Sequence, residues 1–198
     1  AAPKGFLLLE WTSMRVLGTG ELAFRLVPFL AGTASLFLFY ALARRVLTPV
    51  GTLAALLFLS VGYWFVVYAS DLHPYGLDLA LSLAAMVLAI DLCRLDYPRR
   101  RVWAAAAFGA LAVWFSNGVV LTLFGLGMAL GAIAWKARGA AATVRTLWPI
   151  ALAWGASAGA AVWVATHSFF PTAAEFFAWS WQPGMVPVPR SVDSALWL

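Results

Sequence analysis

Residues 22–46 read LAFRLVPFLAGTASLFLFYALARRV, and they decide the fold. The 18 residues between Arg25 and Arg44 carry no charge. A helix rising about 1.5 Å per residue carries such a run across roughly 27 Å, close to the thickness of a bilayer's hydrocarbon core. Arg44 and Arg45 close the run and Thr48-Pro49 turns the chain, so Leu22 to Val46 is expected to be a spanning helix.

The same character extends outward from this segment. The 198 residues are 64% hydrophobic and 11% charged, with mean hydropathy +0.88, whereas soluble domains carry about a quarter charged residues. The fold class expected is all-α, a polytopic transmembrane helical bundle forming one domain over residues 1–198. It should hold about six spanning or half-spanning helices and a juxtamembrane helix. The chain begins at Ala1 rather than Met and stops at Trp197-Leu198 as an apolar segment starts, so it reads as an internal fragment of a longer protein.

Upstream, within residues 1–20, Pro3 to Gly18 reads as a short helix whose apolar core, Phe6 to Trp11, is too short to span. It is placed at the membrane interface, with Glu10 and Arg15 on its wetter side. Downstream, Val50 to Ala69 forms a second span and Pro74 to Leu92 a third. Ser116-Asn117-Gly118 divides Val102 to Trp135 into a helical hairpin, one long tilted helix being the alternative. Thr146 to Thr166 spans again, and its small residues from Gly155 to Ala161 should let neighbouring helices approach closely. Residues 167–198, aromatic and holding Pro171, Pro183, Pro187 and Pro189, read as a loop that covers a site.

Thirteen basic and eight acidic residues give a net charge of +5. The basic residues cluster in short loops between apolar runs, so topology accounts for them and nucleic-acid binding is not expected. Alternating the spans puts Arg44, Arg45, Arg94, Arg99, Arg100, Arg101, Lys136, Arg138 and Arg145 on one face, nine of the thirteen. By the positive-inside rule that face is cytoplasmic in a multi-pass protein of the plasma (inner) membrane, and Tyr68–Asp78 and residues 167–198 are extracytoplasmic. Cys93, the single cysteine, forms no internal disulfide, and no Cys/His set has zinc spacing. Nothing points to a metal or another cofactor.

The stretch from Tyr68 to Asp78 concentrates the chemistry. Asp71, His73 and Asp78 stand there with Tyr68 and Tyr75 between two apolar runs, where ionisable groups are expensive unless they face water, a partner or a substrate. Asp71, Tyr75 and Asp78 are spaced i, i+4 and i+7, one face of a helix that extends back that far. The plainer reading is that the acids complement a helix N-terminus. Arg25, at the same end, suits an anionic headgroup, the plainer reading being an i,i+4 pair with Glu21.

Gly20-Glu21-Leu22-Ala23-Phe24-Arg25-Leu26-Val27-Pro28, followed by Ala43-Arg44-Arg45, resembles the polytopic glycosyltransferases that use polyprenyl-phosphate sugars. These are related to protein O-mannosyltransferases and lipid A aminoarabinose transferases. In that family a Glu-x-x-x-Arg-Leu-x-Pro pattern opens the second spanning helix and Ala-Arg-Arg closes it. Ser70 to Asp78 is similar to the family's outer Tyr-Ser-x-Glu-x-Lys-x-Tyr-x-x-Asp stretch, with His73 where a lysine is common.

The resemblance implies inverting transfer of a sugar from a polyprenyl-phosphate carrier to a lipid, glycan or protein acceptor at the extracytoplasmic face. It implies that Arg25, with Lys4 or His73, stabilises charge on the lipid phosphate, and that Asp78 orients acceptor or sugar, with Asp71 and Tyr75 beside it. Two features depart from the family. Its acidic catalytic base belongs to an outer loop that would precede Ala1, and its Lys/His-Pro-Pro-Leu pattern appears only as Ala2-Pro3-Lys4-Gly5. A transporter or channel segment with an outer Asp/His ion site, and a non-catalytic membrane scaffold, stand as the alternative classes.

Overall fold

The computed structural model describes residues 2–167, and among these the chain is helical with short turns. The helices are α1 (Lys4–Leu17), α2 (Glu21–Val46), α3 (Pro49–Val61), α4 (Tyr63–Tyr68), α5 (Tyr75–Arg94), α6 (Arg99–Phe115), α7 (Val119–Arg138) and α8 (Ala140–His167). Four of them, α2, α5, α7 and α8, are long and apolar enough to cross a membrane. The chain is thus an all-α membrane helical bundle. Its unit Ala1–Ala161 holds α1 to α7 and most of α8, while the described part of the unit Val162–Leu198 is the last stretch of α8. The aromatic, proline-rich loop expected beyond His167 lies outside the described residues.

The boundaries follow local chemistry. Thr48 caps α3, its hydroxyl accepting from the Gly51 N–H at 3.2 Å, and Pro49 occupies the first turn, where a missing N–H costs nothing. Gly18 and Gly139 end α1 and α7 with φ of 84° and 79°, a region that residues with a Cβ enter only at a cost. The hairpin expected within residues 102–135 is present, turning at Ser116 to Gly118. Ser116 is fully buried there, and its Oγ accepts from the Val119 N–H at 2.9 Å, satisfying one of the open donors at the start of α7.

Three expectations need correction. The second span is not continuous, because Gly62 takes an extended conformation between α3 and α4. Glycine is a poor helix former, and the aromatic and β-branched run from Tyr63 to Val67 adds little propensity to hold the helix across it. Helix α8 begins at Ala140, six residues before the start expected for that span at Thr146. Finally, of the small residues from Gly155 to Ala161, Ser157 and Ala161 pack on neighbouring helices as expected, whereas Gly155 and Gly159 meet nothing within 4 Å among the described residues.

Close approach occurs at other glycines. A Cβ on Gly32 would lie 2.6 Å from the Ala69 Cβ, and one on Gly76 would lie 3.4 Å from the Pro28 carbonyl oxygen, so α2 takes both neighbours at short range. A Cβ on Gly109 of α6 would fall 2.0 Å from Nε1 of Trp154. The indole of α8 therefore fills a slot in α6, and its N–H donates to the Ala105 carbonyl at 3.0 Å. Ser157, one turn on, donates to the Ala110 carbonyl at 2.6 Å and accepts from the Trp114 indole at 3.0 Å. Two small cores result, one around Leu92, Val102, Leu130 and Ile150, the other around Ala112, Val113, Val119 and Leu123. Large apolar side chains outside them are open, Phe58 and Leu121 being 76% and 78% exposed, as a hydrocarbon solvent allows.

The arginine-rich ends of α2, α5 and α7 are fastened to one another. Arg45 grips both oxygens of Asp91 at 3.1 Å, Arg101 stands 3.7 Å from the same carboxylate, and Arg94 donates to the Arg45 carbonyl at 2.7 Å. Between α5 and α6, Asp96 and Tyr97 take left-handed conformations with φ of 59° and 57°. Arg138 holds this strained turn by binding the Asp96 carboxylate, donating to its carbonyl at 2.7 Å, and lying 4.8 Å over the Tyr97 ring. Burial pushes the Tyr97 phenol well above its usual range, so it stays protonated.

Candidate functional site

At the opposite end of the bundle the α1–α2, α4–α5 and α6–α7 connections meet. Helix α1 is seated by Gly5, whose absent Cβ leaves room for the Phe115 ring and the Trp114 carbonyl, and by Ser13, which donates to the Ala23 carbonyl at 2.6 Å. This seat overturns the expectation for Glu10. Phe6, Glu10 and Ser13 share one helical face and all are buried, so Glu10 lies on the packed side of α1 at 5% exposure. Neither carboxylate oxygen has a hydrogen-bond partner, and burial raises its pKa above the ordinary carboxylate range.

Asp78 sits in the first turn of α5 and faces the α6–α7 turn. Its carboxylate lies against Ser116 and Gly118 of that turn. A Cβ on Gly118 would stand 3.2 Å from Asp78 Oδ2, so the glycine admits the acid against the backbone. The other oxygen, Oδ1, is buried without a partner. Asp78 is thus positioned on one side and left with a buried, unsatisfied acceptor on the other, a costly arrangement that a bound hydroxyl or amine would relieve.

The rest of the stretch is arranged differently from the one-face expectation. Helix α5 starts only at Tyr75, so Asp71 lies in the preceding turn, exposed, and no side chain caps the helix. The His73 N–H donates to the Asp71 carbonyl at 2.7 Å. The His73 ring stacks on Tyr75 at 5.1 Å, and Tyr75 meets Tyr68 at 4.6 Å, which continues to Trp64 at 5.6 Å. This row of rings suits a membrane interface. Lys4 opens α1, is exposed, and makes no ion pair among the described residues.

Arg25 forms the i,i+4 pair with Glu21 at 2.6 Å, both side chains being more than half exposed. Such a surface pair is worth only about 0.3–0.5 kcal/mol and opens readily to a better anion. Arg25 is also one of the residues lining an almost wholly apolar crevice of about 270 Å³, with Leu22, Leu26, Phe29 and Ala69. A second crevice of about 320 Å³ continues from Phe29, Ala69 and Ser70 past Gly32 and Thr33 to Leu36 and Phe65. Together they form an apolar groove between α2 and α4 with Arg25 at one end.

The structure therefore makes two local arrangements at this end, Asp78 with Ser116 and Gly118, and Arg25 over the groove, with no ion pair between Arg25 and Asp78. The burial of Glu10 escaped the sequence reading, although its i, i+4, i+7 spacing with Phe6 and Ser13 carried the signal. Among the described residues no group of three or more His, Cys, Asp and Glu side chains is placed to hold a metal ion. Comparison with family models, with curated proteins and with solved structures finds no match.

Proposed function

We propose that this chain is the membrane part of a glycosyltransferase that takes a sugar from a polyprenyl-phosphate carrier and passes it to a lipid, glycan or protein acceptor. The observation that carries the reading is the groove between α2 and α4 ending at Arg25. A polyprenyl phosphate is a long apolar chain with one anionic head, and this groove offers apolar walls with Arg25 among the residues at one end, its side chain more than half exposed. The phosphate would displace Glu21 and pair with two guanidinium N–H groups, which stabilises the charge left on it as the sugar departs. Asp78, set against the Ser116–Gly118 turn, would orient acceptor or sugar once binding uncovers its buried, unpartnered oxygen. The arginine-rich end is then cytoplasmic and the Arg25 and Asp78 end extracytoplasmic, in the plasma (inner) membrane.

The test uses the intact protein in membranes charged with radiolabelled polyprenyl-phosphate sugars. Arg25→Ala and Asp78→Asn should each lower transfer about 100-fold or more while insertion and abundance stay normal. A photoreactive polyprenyl phosphate should crosslink to the α2–α4 groove in the wild type and in Asp78→Asn, and weakly in Arg25→Ala. Full transfer by both variants would return the two residues to structural roles.

A further inference from the structure

We propose that the arginine-rich end carries a separate binding site for the headgroup of an anionic phospholipid, in a pocket between the start of α6 and the first turns of α8. The pocket has a volume of about 410 Å³, and its wall includes Arg99, Arg145, Trp103, Trp148 and Tyr97. Charge accounting favours an anionic occupant. Nine basic residues gather at this end against Asp91 and Asp96 among the described residues. Asp91 is held by Arg45 and Arg101, and Asp96 by Arg138. No carboxylate is left for Arg99 or Arg145, which face the same pocket without an ion-pair partner among the described residues.

The surroundings fit a lipid headgroup better than a free anion. Trp103 and Trp148 meet edge to face at 5.5 Å and are each nearly half exposed, the placement of indoles at the level of lipid headgroups. Their apolar faces can pack on the glycerol and upper acyl carbons while the guanidiniums take the phosphate. Basic pockets between helices at such an interface are suited to anionic headgroups. The opposite wall is stiff, because Tyr97 belongs to the strained turn that Arg138 clamps. The start of α6 adds a further unfavourable term that an anion would offset. Arg99, Arg100 and Arg101 fill its first turn, where the helix dipole disfavours cations, and no side chain caps it. The inference stands independently of sugar transfer.

The test is made on the intact protein in zwitterionic micelles doped with phosphatidylglycerol, phosphatidylcholine or inorganic phosphate. Phosphatidylglycerol should raise the thermal midpoint at about a tenth of the mole fraction that phosphatidylcholine requires, as two added charge contacts at an interface predict. Arg99→Gln with Arg145→Gln should remove most of that preference, and Arg100→Gln, outside the pocket, should keep it. In the unmodified protein, phosphatidylglycerol brominated near the headgroup should quench tryptophan fluorescence more than its phosphatidylcholine counterpart, and Trp148→Phe should shrink the difference. This arm decides the matter even where the double variant does not fold. Equal protection by inorganic phosphate, an unchanged preference in the double variant, or equal quenching by the two lipids would each overturn the proposal.

Discussion

Glu10 is the residue whose environment most contradicts its chemistry. Its folded carboxyl holds a proton more tightly than the unfolded one, because burial without a partner disfavours the charge. The stability this gives is fully present below the ordinary carboxylate range and is lost as pH rises through the elevated folded value. Glu10→Gln should therefore flatten the stability profile across that window and raise the thermal midpoint at neutral pH, by about 2–4 °C per kcal/mol relieved. Thermal denaturation in detergent at several pH values checks it, and an unaltered slope would mean that the carboxylate is solvated. Single residues were only partly legible in the sequence. Asp78 stood out as an acid entering an apolar run, but its neighbours Ser116 and Gly118 belong to the α6–α7 turn, about forty positions further along, and no local pattern announces a contact of that range. Arg25 was legible as a paired arginine, whereas the groove beside it exists only because Gly62 and the turn after α4 bring Ala69 and Ser70 against α2.

At the scale of the helices, the seat of α8 on α6 depends on one missing methyl group. Gly109→Ala would place a carbon where Trp154 now lies and should cost about 1–3 kcal/mol, because the indole must leave its slot and its bond to the Ala105 carbonyl. The same change at Gly155, which meets open space, should stay within about 0.5 kcal/mol. Chemical denaturation followed by tryptophan fluorescence separates the two, and equal effects would show that α8 is not held through this slot. The sequence foretold α2, α5 and the α6–α7 hairpin because apolar length and turn chemistry are local properties. Of the small-residue run in α8, Ser157 and Ala161 pack inward while Gly155 and Gly159 do not, because small residues permit close approach without requiring it. What fixed the face was a large residue, Trp154, opposite a small one on another helix.

For the whole molecule, orientation is the property that most constrains function. With Cys93 replaced by serine, a cysteine at position 71 should react with an impermeant maleimide in intact cells, and one at position 100 only after permeabilisation. The reverse pattern would turn Arg25 and Asp78 inward and remove transfer at the outer face. The sequence put nine basic residues on one set of loops, and the structure brings Arg45, Arg101 and Arg138 of that set around Asp91 and Asp96. The interruption at Gly62 bears on the membrane itself. Helix α3 alone covers about 20 Å of a hydrocarbon layer near 30 Å, and α4 adds about 9 Å when the two are in line. A crossing in two jointed pieces can shorten by folding at the joint, whereas α2 is one continuous helix whose main means of adjustment are tilting and bending at Pro28. Where α3 and α4 together make one crossing, bilayer thickness would act on the groove directly, since α4 would be the shorter piece of that crossing and is one of the groove's walls, and thinner lipids should change how wide it stands.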